Sequence, residues 1–185
     1  MREFLLEKLA TEAVRQSLEG FKLSWGFPDP IYIDCRAALG DPATLYAAAA
    51  CVFNELDTEK VERIAGIAYG GLSLSTATSL LSLAKGNPTG ALGIRKRPKK
   101  HGIGLSIEGG YMAWDNICII DDVCTTGQSL LTAIDTAKDA GLQVVQVIVL
   151  VDRQLGGLYE IERLLPDAKV SAIFTKDELV NYRIQ

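Results

Sequence analysis

The hydrophobic positions of this chain come in short apolar runs, separated by stretches whose apolar residues recur at helical spacing. Residues 62–69 (ERIAGIAY), 91–94 (ALGI), 142–152 (LQVVQVIVLVD) and 168–175 (AKVSAIFT) read as strands, and 111–120 (YMAWDNICII) contains another, which ends at Asp121. Residues 73–84, 128–140 and 159–165 read as helices between them, with Gly141 closing the second. Strands alternating with helices predict an α/β fold: a central, mostly parallel sheet flanked by helices. Several runs are apolar throughout, as a sheet covered on both faces requires. Ahead of this rhythm, Phe4, Leu5, Leu9, Ala13 and Val14 predict a helix over 2–18, ended by Gly20. Residues 31–34 read as a strand with Tyr32. Asp41-Pro42 then supplies an N-cap and a first-turn proline for a helix through residues 43–56.

One segment breaks the rhythm. In RKRPKKHGIGLSIEGG, residues 95–110, five of the first six positions are basic, Pro98 interrupts them, and four glycines follow. No strand or helix period runs through it. It reads as a long exposed loop of the kind that closes over a site.

Composition narrows the possibilities. A chain of 185 residues, 48% hydrophobic, is long enough for one sizeable core, so a single domain over 1–185 is expected. The net charge of −4 is a poor match for nucleic acid, and the basic loop has no interleaved aromatics, so no nucleic-acid partner is expected. Cys35, Cys51, Cys118 and Cys124 include no CxxC pair, and the chain has one histidine, which argues against zinc and suggests a reducing compartment. No secretory h-region and no apolar span of transmembrane length occurs, so a soluble cytoplasmic protein without a membrane partner is expected.

The candidate chemistry lies in CIIDDVCTTGQS, residues 118–129. Asp121 and Asp122 close an apolar strand, and ligands of open α/β sheets sit at the carboxyl ends of strands. Thr125, Thr126 and Ser129 bring hydroxyls, and Gly127 allows a close approach. Unpaired N–H groups at the start of the following helix favour an anion such as phosphate. Beside a phosphate, two carboxylates have two physical uses: to hold Mg²⁺, directly or through water, or to accept from sugar hydroxyls. A phosphorylated, pyrophosphorylated ribose satisfies both. The plainer alternative, a helix N-cap next to a solvated acid, accounts for one acid and one threonine only. No GxxxxGK[ST] motif occurs, and AYGGLS at 68–73 lacks the three-glycine dinucleotide fingerprint.

CIIDDVCTTGQS resembles the phosphoribosyl-pyrophosphate (PRPP) signature of type I phosphoribosyltransferases, and the chain resembles their orotate branch. Four further stretches agree, in the same order. FKLSWGFPDPIYIDCR is similar to the segment that closes over the base, and GIAYGGLSLSTA to the pyrophosphate loop and its helix. RKRPKKHGIGLSIEGG is similar to the mobile catalytic loop, and LVDRQLGG to the base-binding segment. The resemblance spans about residues 20–157. It implies a type I phosphoribosyltransferase fold with a hood from about residues 1–40 and part of the C-terminus. It also implies Mg²⁺ as cofactor, and a homodimer in which the catalytic loop reaches the partner's site. The reaction implied is transfer of phosphoribosyl from PRPP to orotate, giving orotidine 5'-monophosphate and pyrophosphate.

The residues carry over as follows. Asp121 and Asp122 would meet the ribose hydroxyls and the metal. With Val123, Cys124, Thr125, Thr126, Gly127, Gln128 and Ser129, they would surround the 5'-phosphate. Tyr69, Gly70, Gly71, Arg95, Lys96, Lys99 and His101 would hold PRPP and pyrophosphate. Lys99 would steady the leaving group by charge, and His101 would donate or relay a proton. Arg153 would face the orotate carboxylate, with Thr125 and Phe27 near the base. Trp25 and Phe27 fit a ring stack or a plug under the first helix equally well. Tyr69 fits a pocket wall or simple packing.

The chain also departs from the pattern. Gly70 stands where a lysine is common, Ser24 where some members have lysine, Lys100 where the usual residue is acidic, and Pro98 alters the loop. Lys22 and Lys100 are the nearby cations that could compensate. Loss of a cationic contact leaves two alternatives open: a phosphoribosyltransferase for another pyrimidine or a purine, and a non-catalytic PRPP-binding regulator.

Overall fold

The computed structural model describes residues 1–22, 28–95 and 106–184; the side chains of Lys22 and Ile184 are not described. The sheet begins with β3 (Arg63–Ile67) and β4 (Gly90–Ile94), which run parallel. β5 (Ile107–Glu108) closes one edge, antiparallel to β4. On the other side of β3 lie β6 (Asn116–Cys124), β7 (Gln143–Asp152) and β8 (Lys169–Thr175), all parallel. The order is β5-β4-β3-β6-β7-β8, so β3 and β6 sit side by side at the centre although about fifty residues separate them.

The unbroken apolar runs are explained by two covered faces. Along β6, Cys118 and Ile120 point to one face, and Ile117 and Ile119 to the other, all fully buried. On the first face, α1 (Arg2–Lys8), α3 (Pro42–Glu55) and α4 (Gly70–Ala84) cover the sheet through Leu5, Val52 and Leu74. On the second, α5 (Gln128–Asp139) and α6 (Gly157–Leu164) contribute Leu130, Ile134 and Ile161. Asp41 caps α3 as its sequence position predicts, its carboxylate accepting from the Thr44 N–H at 2.8 Å. Gln146 is a buried polar residue inside β7. It is satisfied by the Glu55 carbonyl (2.8 Å) and the Asp57 N–H (2.9 Å), and so ties the end of α3 to the sheet.

The N-terminal region differs from expectation. The helix stops at Lys8, passes through a π-helical turn over Leu9–Ala13, and gives way to β1 (Val14–Lys22). β1 pairs antiparallel with β2 (Pro28–Ile33), Val14 opposite Ile33, and a short helix α2 (Cys35–Leu39) follows. Residues 14–18 therefore belong to a hairpin. Strand pairing overrides a helical pattern that rested on only five apolar positions. The hairpin is tied to the other end of the chain. Arg183 of α7 (Lys176–Ile184) donates to the Val14 carbonyl, and Arg2 of α1 donates to the Ile173 carbonyl and the Glu178 carboxylate.

Three other boundaries shift, each for a local reason. Part of the expected loop at 95–110 is strand: Ile107 is buried in β5, and the Arg95 N–H donates to the Ser106 carbonyl at 2.9 Å. β6 continues through Asp121 and Asp122 to Cys124, because β7 pairs with it that far. Finally, α4 starts at Gly70 rather than Ser73. A pair of glycines normally marks a turn, but here they let the helix start lie on β6. A Cβ on Gly71 would sit 2.2 Å from the Ile120 carbonyl oxygen, and one on Gly66 would sit 2.2 Å from the Gly71 carbonyl oxygen.

That close approach makes a stability prediction. Gly71→Ala forces α4 off β6 and is expected to cost about 1–3 kcal/mol, as overpacking does. Gly110→Ala, whose Cβ meets nothing within 4 Å, should stay within about 0.5 kcal/mol of the unaltered chain. Urea unfolding of the two variants, side by side, measures the difference.

Candidate functional site

The carboxyl ends of β3, β6 and β7 lie next to one another, and each runs into a functional stretch. β3 leads through the cis Ala68–Tyr69 peptide into the first turn of α4. β6 delivers Asp121 and Asp122 and then a three-residue turn into α5. β7 delivers Asp152 and Arg153. The sequence pattern thus converges on one end of the sheet, as the parallel topology demands.

The turn after β6 forms a polar depression of about 100 Å³, lined by Asp121 and residues 123–130. Gly127 takes a left-handed φ of 78° and caps α5. It also lets the turn pack against α6, for its Cβ would sit 2.9 Å from the Gly157 carbonyl oxygen. Gly157 in turn donates to the Thr125 carbonyl at 3.2 Å, and Arg153 donates its backbone N–H to the Cys124 carbonyl at 2.9 Å. The first N–H groups of α5 have no partner within the helix and open on this hollow. Thr125 and Ser129 are half-buried and Thr126 is exposed. Eight of the nine residues expected around a phosphate, all but Asp122, therefore line one cradle.

Asp121 and Asp122 part company, because successive residues of a strand face opposite ways. Asp121 is buried, and its carboxylate accepts from the Asp122 N–H at 3.0 Å. The Asp122 carboxylate lies over the first turn of α4, where a Cβ on Gly70 would come within 2.2 Å of its Cγ. A lysine at position 70 and Asp122 in this place exclude each other. The departure from the family pattern at Gly70 is thus coupled to the acid, and the positive end of α4 faces a carboxylate. Asp34, Asp121 and Asp122 also surround the Cys35 thiol. Burial first, then these acids, push its pKa well up. Tyr69 is exposed, so it does not serve as core packing, while Gly71 is buried against β6.

Arg153 is buried, with its Nη2 donating to the Asp29 carboxylate at 2.6 Å and to the Ile31 carbonyl at 2.8 Å. Burial lowers the guanidinium's hold on its proton, and Asp29 restores part of it. Arg95 stands at the end of β4, paired with Glu108 of β5. It borders a second cavity of about 150 Å³, which reaches Gln128, Ser129 and Thr132 of α5. Lys96, Pro98, Lys99, Lys100 and His101 of the expected loop at 95–110, and Ser24, Trp25 and Phe27 of the segment ahead of β2, lie outside the described residues.

Two residues escaped the sequence reading. Thr132 follows Gln128 by four positions, and that spacing puts both on one helix face. Asp29 carried no such signal, because its partner Arg153 is 124 residues away.

The family model described as "Phosphoribosyl transferase domain" matches residues 42–162. The chain is 38% identical over 136 residues to an orotate phosphoribosyltransferase of Methanosphaera stadtmanae, covering 74% of each chain. It is 37% identical over 158 residues to an orotate phosphoribosyltransferase of Synechocystis sp., covering 85% of this chain and 78% of the other. Its fold is similar to the crystal structure of Mycobacterium tuberculosis H37Rv orotate phosphoribosyltransferase in complex with PRPP. That likeness has a TM-score of 0.77 at 25% identity, over 96% of this chain and 98% of that one.

The buried thiols give a check on the packing of this region. Burial pushes Cys124 up to about 12 and Cys118 further still, so at about pH 8 their thiolates are traces. A thiol reagent added to the native protein is expected to react slowly and at Cys51 first. Cys51 keeps 8% of its surface against 0% for Cys35 and Cys118 and 2% for Cys124. Urea should release all four; fast native labelling of Cys124 would contradict the packed turn.

Proposed function

The chain belongs to the phosphoribosyltransferase family, in its orotate branch, and on that premise we propose how its residues carry out the reaction. The enzyme transfers the 5-phosphoribosyl group from PRPP to orotate, forming orotidine 5'-monophosphate and pyrophosphate. The observation that carries the assignment of parts is the polar cradle after β6, with Asp121 on its wall and Asp122 turned toward α4.

In this reading the 5'-phosphate sits on the N–H groups and hydroxyls of residues 125–129, at the positive end of α5. Asp121 and Asp122 accept from the ribose hydroxyls. Pyrophosphate lies across Tyr69, Gly70 and Gly71 toward Arg95, at the start of α4. The Asp122 carboxylate covers that helix start in this structure, so PRPP binding turns it away from Gly70 and toward the sugar. Displacement at C1' gives the ribose oxocarbenium character and puts negative charge on the departing pyrophosphate. Lys96 and Lys99 meet that charge as fixed cations, and His101 donates or relays a proton. Arg153 receives the orotate carboxylate, with Thr125 and Phe27 beside the ring. A closed loop at 95–110 excludes the water that would hydrolyse PRPP.

The donor set fits Mg²⁺. Among the described residues no cluster of three or more His, Cys, Asp or Glu forms a cage. Mg²⁺ characteristically takes one or two carboxylates and completes its shell with substrate oxygens and water. Asp121 and Asp122 would hold it, directly or through water, and when bound it neutralises charge on the pyrophosphate. The single domain carries a hood made of residues 1–40 and part of the C-terminus, with the β1–β2 hairpin over the base. The protein works in the cytoplasm as a homodimer whose loops complete each other's sites.

The test is the loss of orotate absorbance on mixing the protein with PRPP, Mg²⁺ and orotate, against uracil and adenine as acceptors and against omission of Mg²⁺. Turnover with orotate alone, dependent on Mg²⁺, is the expected result. Turnover only with another base, or none despite PRPP binding, would contradict it. Asp122→Asn should lower kcat/KM by roughly a hundredfold or more, with the urea midpoint nearly unmoved.

A further inference from the structure

Arg153 reaches from the end of β7 onto β2, and its Nη2 is fully committed there. One hydrogen goes to Asp29 Oδ2 at 2.6 Å and the other to the Ile31 carbonyl at 2.8 Å. Asp29 is held by its own strand as well, since its Oδ1 accepts from the Ile31 N–H at 2.8 Å. A third charge stands close by. Lys176, the first residue of α7, brings Nζ to 3.9 Å from the same Asp29 Oδ2. The three side chains are graded in exposure: 3% for Arg153, 13% for Asp29 and 24% for Lys176.

Arg153 and Lys176 both address the one Asp29 carboxylate, an arrangement that suits an acceptor bringing a carboxylate of its own. Yet the arginine edge that faces β2 is taken by Asp29. A second carboxylate on that edge would stand against Asp29 in a poorly solvated corner, where like charges repel strongly. A buried guanidinium without a counter-charge is equally costly. Exchange of one carboxylate for another avoids both costs, provided that the displaced one finds a cation. Lys176 is that cation: its Nζ already stands 3.9 Å from Asp29 Oδ2.

Resting on the assignment of Arg153 to the orotate carboxylate, we propose that Asp29 is a positioning residue that occupies Arg153 as an internal carboxylate and is handed to Lys176 when the acceptor's carboxylate arrives. Asp29 thereby neutralises Arg153 in the empty site, keeps the hairpin docked on β7, and sets the affinity for an acidic base by competing with it.

Steady-state kinetics with orotate and PRPP as separately varied substrates test this on the full chain, its Asp29→Asn and Lys176→Met variants, and the double variant. Asp29→Asn removes the competitor but keeps its shape, and is expected to lower the orotate KM by roughly tenfold while the PRPP KM moves less than about twofold. Lys176→Met should raise the orotate KM by about threefold, and should lose that effect once Asp29 is already Asn, a non-additivity that marks the hand-over. An orotate KM that is unchanged or raised in Asp29→Asn, with the unaltered enzyme active, overturns the inference alone; Asp29 would then only fasten β2 to β7. If the unaltered enzyme does not use orotate, the assignment of function falls and this inference with it. Should Asp29→Asn not fold, Lys176→Met decides by itself: a raised orotate KM supports the hand-over, and an unchanged one overturns it.

Discussion

The site depends on the first turn of α4 lying directly on the backbone of β6. Gly71 meets the Ile120 carbonyl at a distance that leaves no room for a Cβ, and Gly70 meets the Asp122 carboxylate. β3 lies beside β6 and feeds α4, so this contact fixes the end of one strand against the end of the other. It sets the 68–71 turn beside Asp121 and Asp122, where the 121–129 stretch begins. The strands on both sides are packed from above and below, which leaves them little freedom to shift.

Charge is then distributed around this contact. The N-termini of α4 and α5 and the Arg95 guanidinium are its positive elements, and Asp121 and Asp122 stand between the two helix starts. Arg153 stands at the far side under the hairpin, paired with Asp29. Among the described residues, three of these positive elements have an internal partner: Arg95 has Glu108, Arg153 has Asp29, and the start of α4 has Asp122. Of these, the Arg153 guanidinium is the buried one, and a buried charge is costly unpaired; Asp29 supplies its counter-charge.

Most of this architecture was legible in the sequence, and the exceptions share a cause. The strands β3, β4, β6, β7 and β8 were readable because each buried run is apolar, and α3 because Asp41 and Pro42 announce it, whereas the two-residue β5 lay inside a stretch read as loop. The cradle was readable because acids, hydroxyls and a glycine stand together in one uninterrupted stretch. What could not be read depends on partners far along the chain. Residues 14–18 become strand through pairing with residues 28–33, and α4 gains a turn because Ile120 leaves room for nothing but glycine. Asp29 matters through Arg153, and no local pattern marks a contact across 124 residues. The glycine at position 70 looked like a lost cationic contact; in the structure the Asp122 carboxylate lies against it.

A crystal structure of the protein with PRPP and Mg²⁺ tests the central claim most directly, because the claim is about where two phosphate groups sit. The account predicts the 5'-phosphate within hydrogen-bond distance of the N–H groups of residues 125–129, pyrophosphate at the start of α4, and the Asp122 carboxylate turned away from Gly70 to the ribose hydroxyls. A 5'-phosphate bound elsewhere, or Asp122 still resting on Gly70 with PRPP in place, would contradict it.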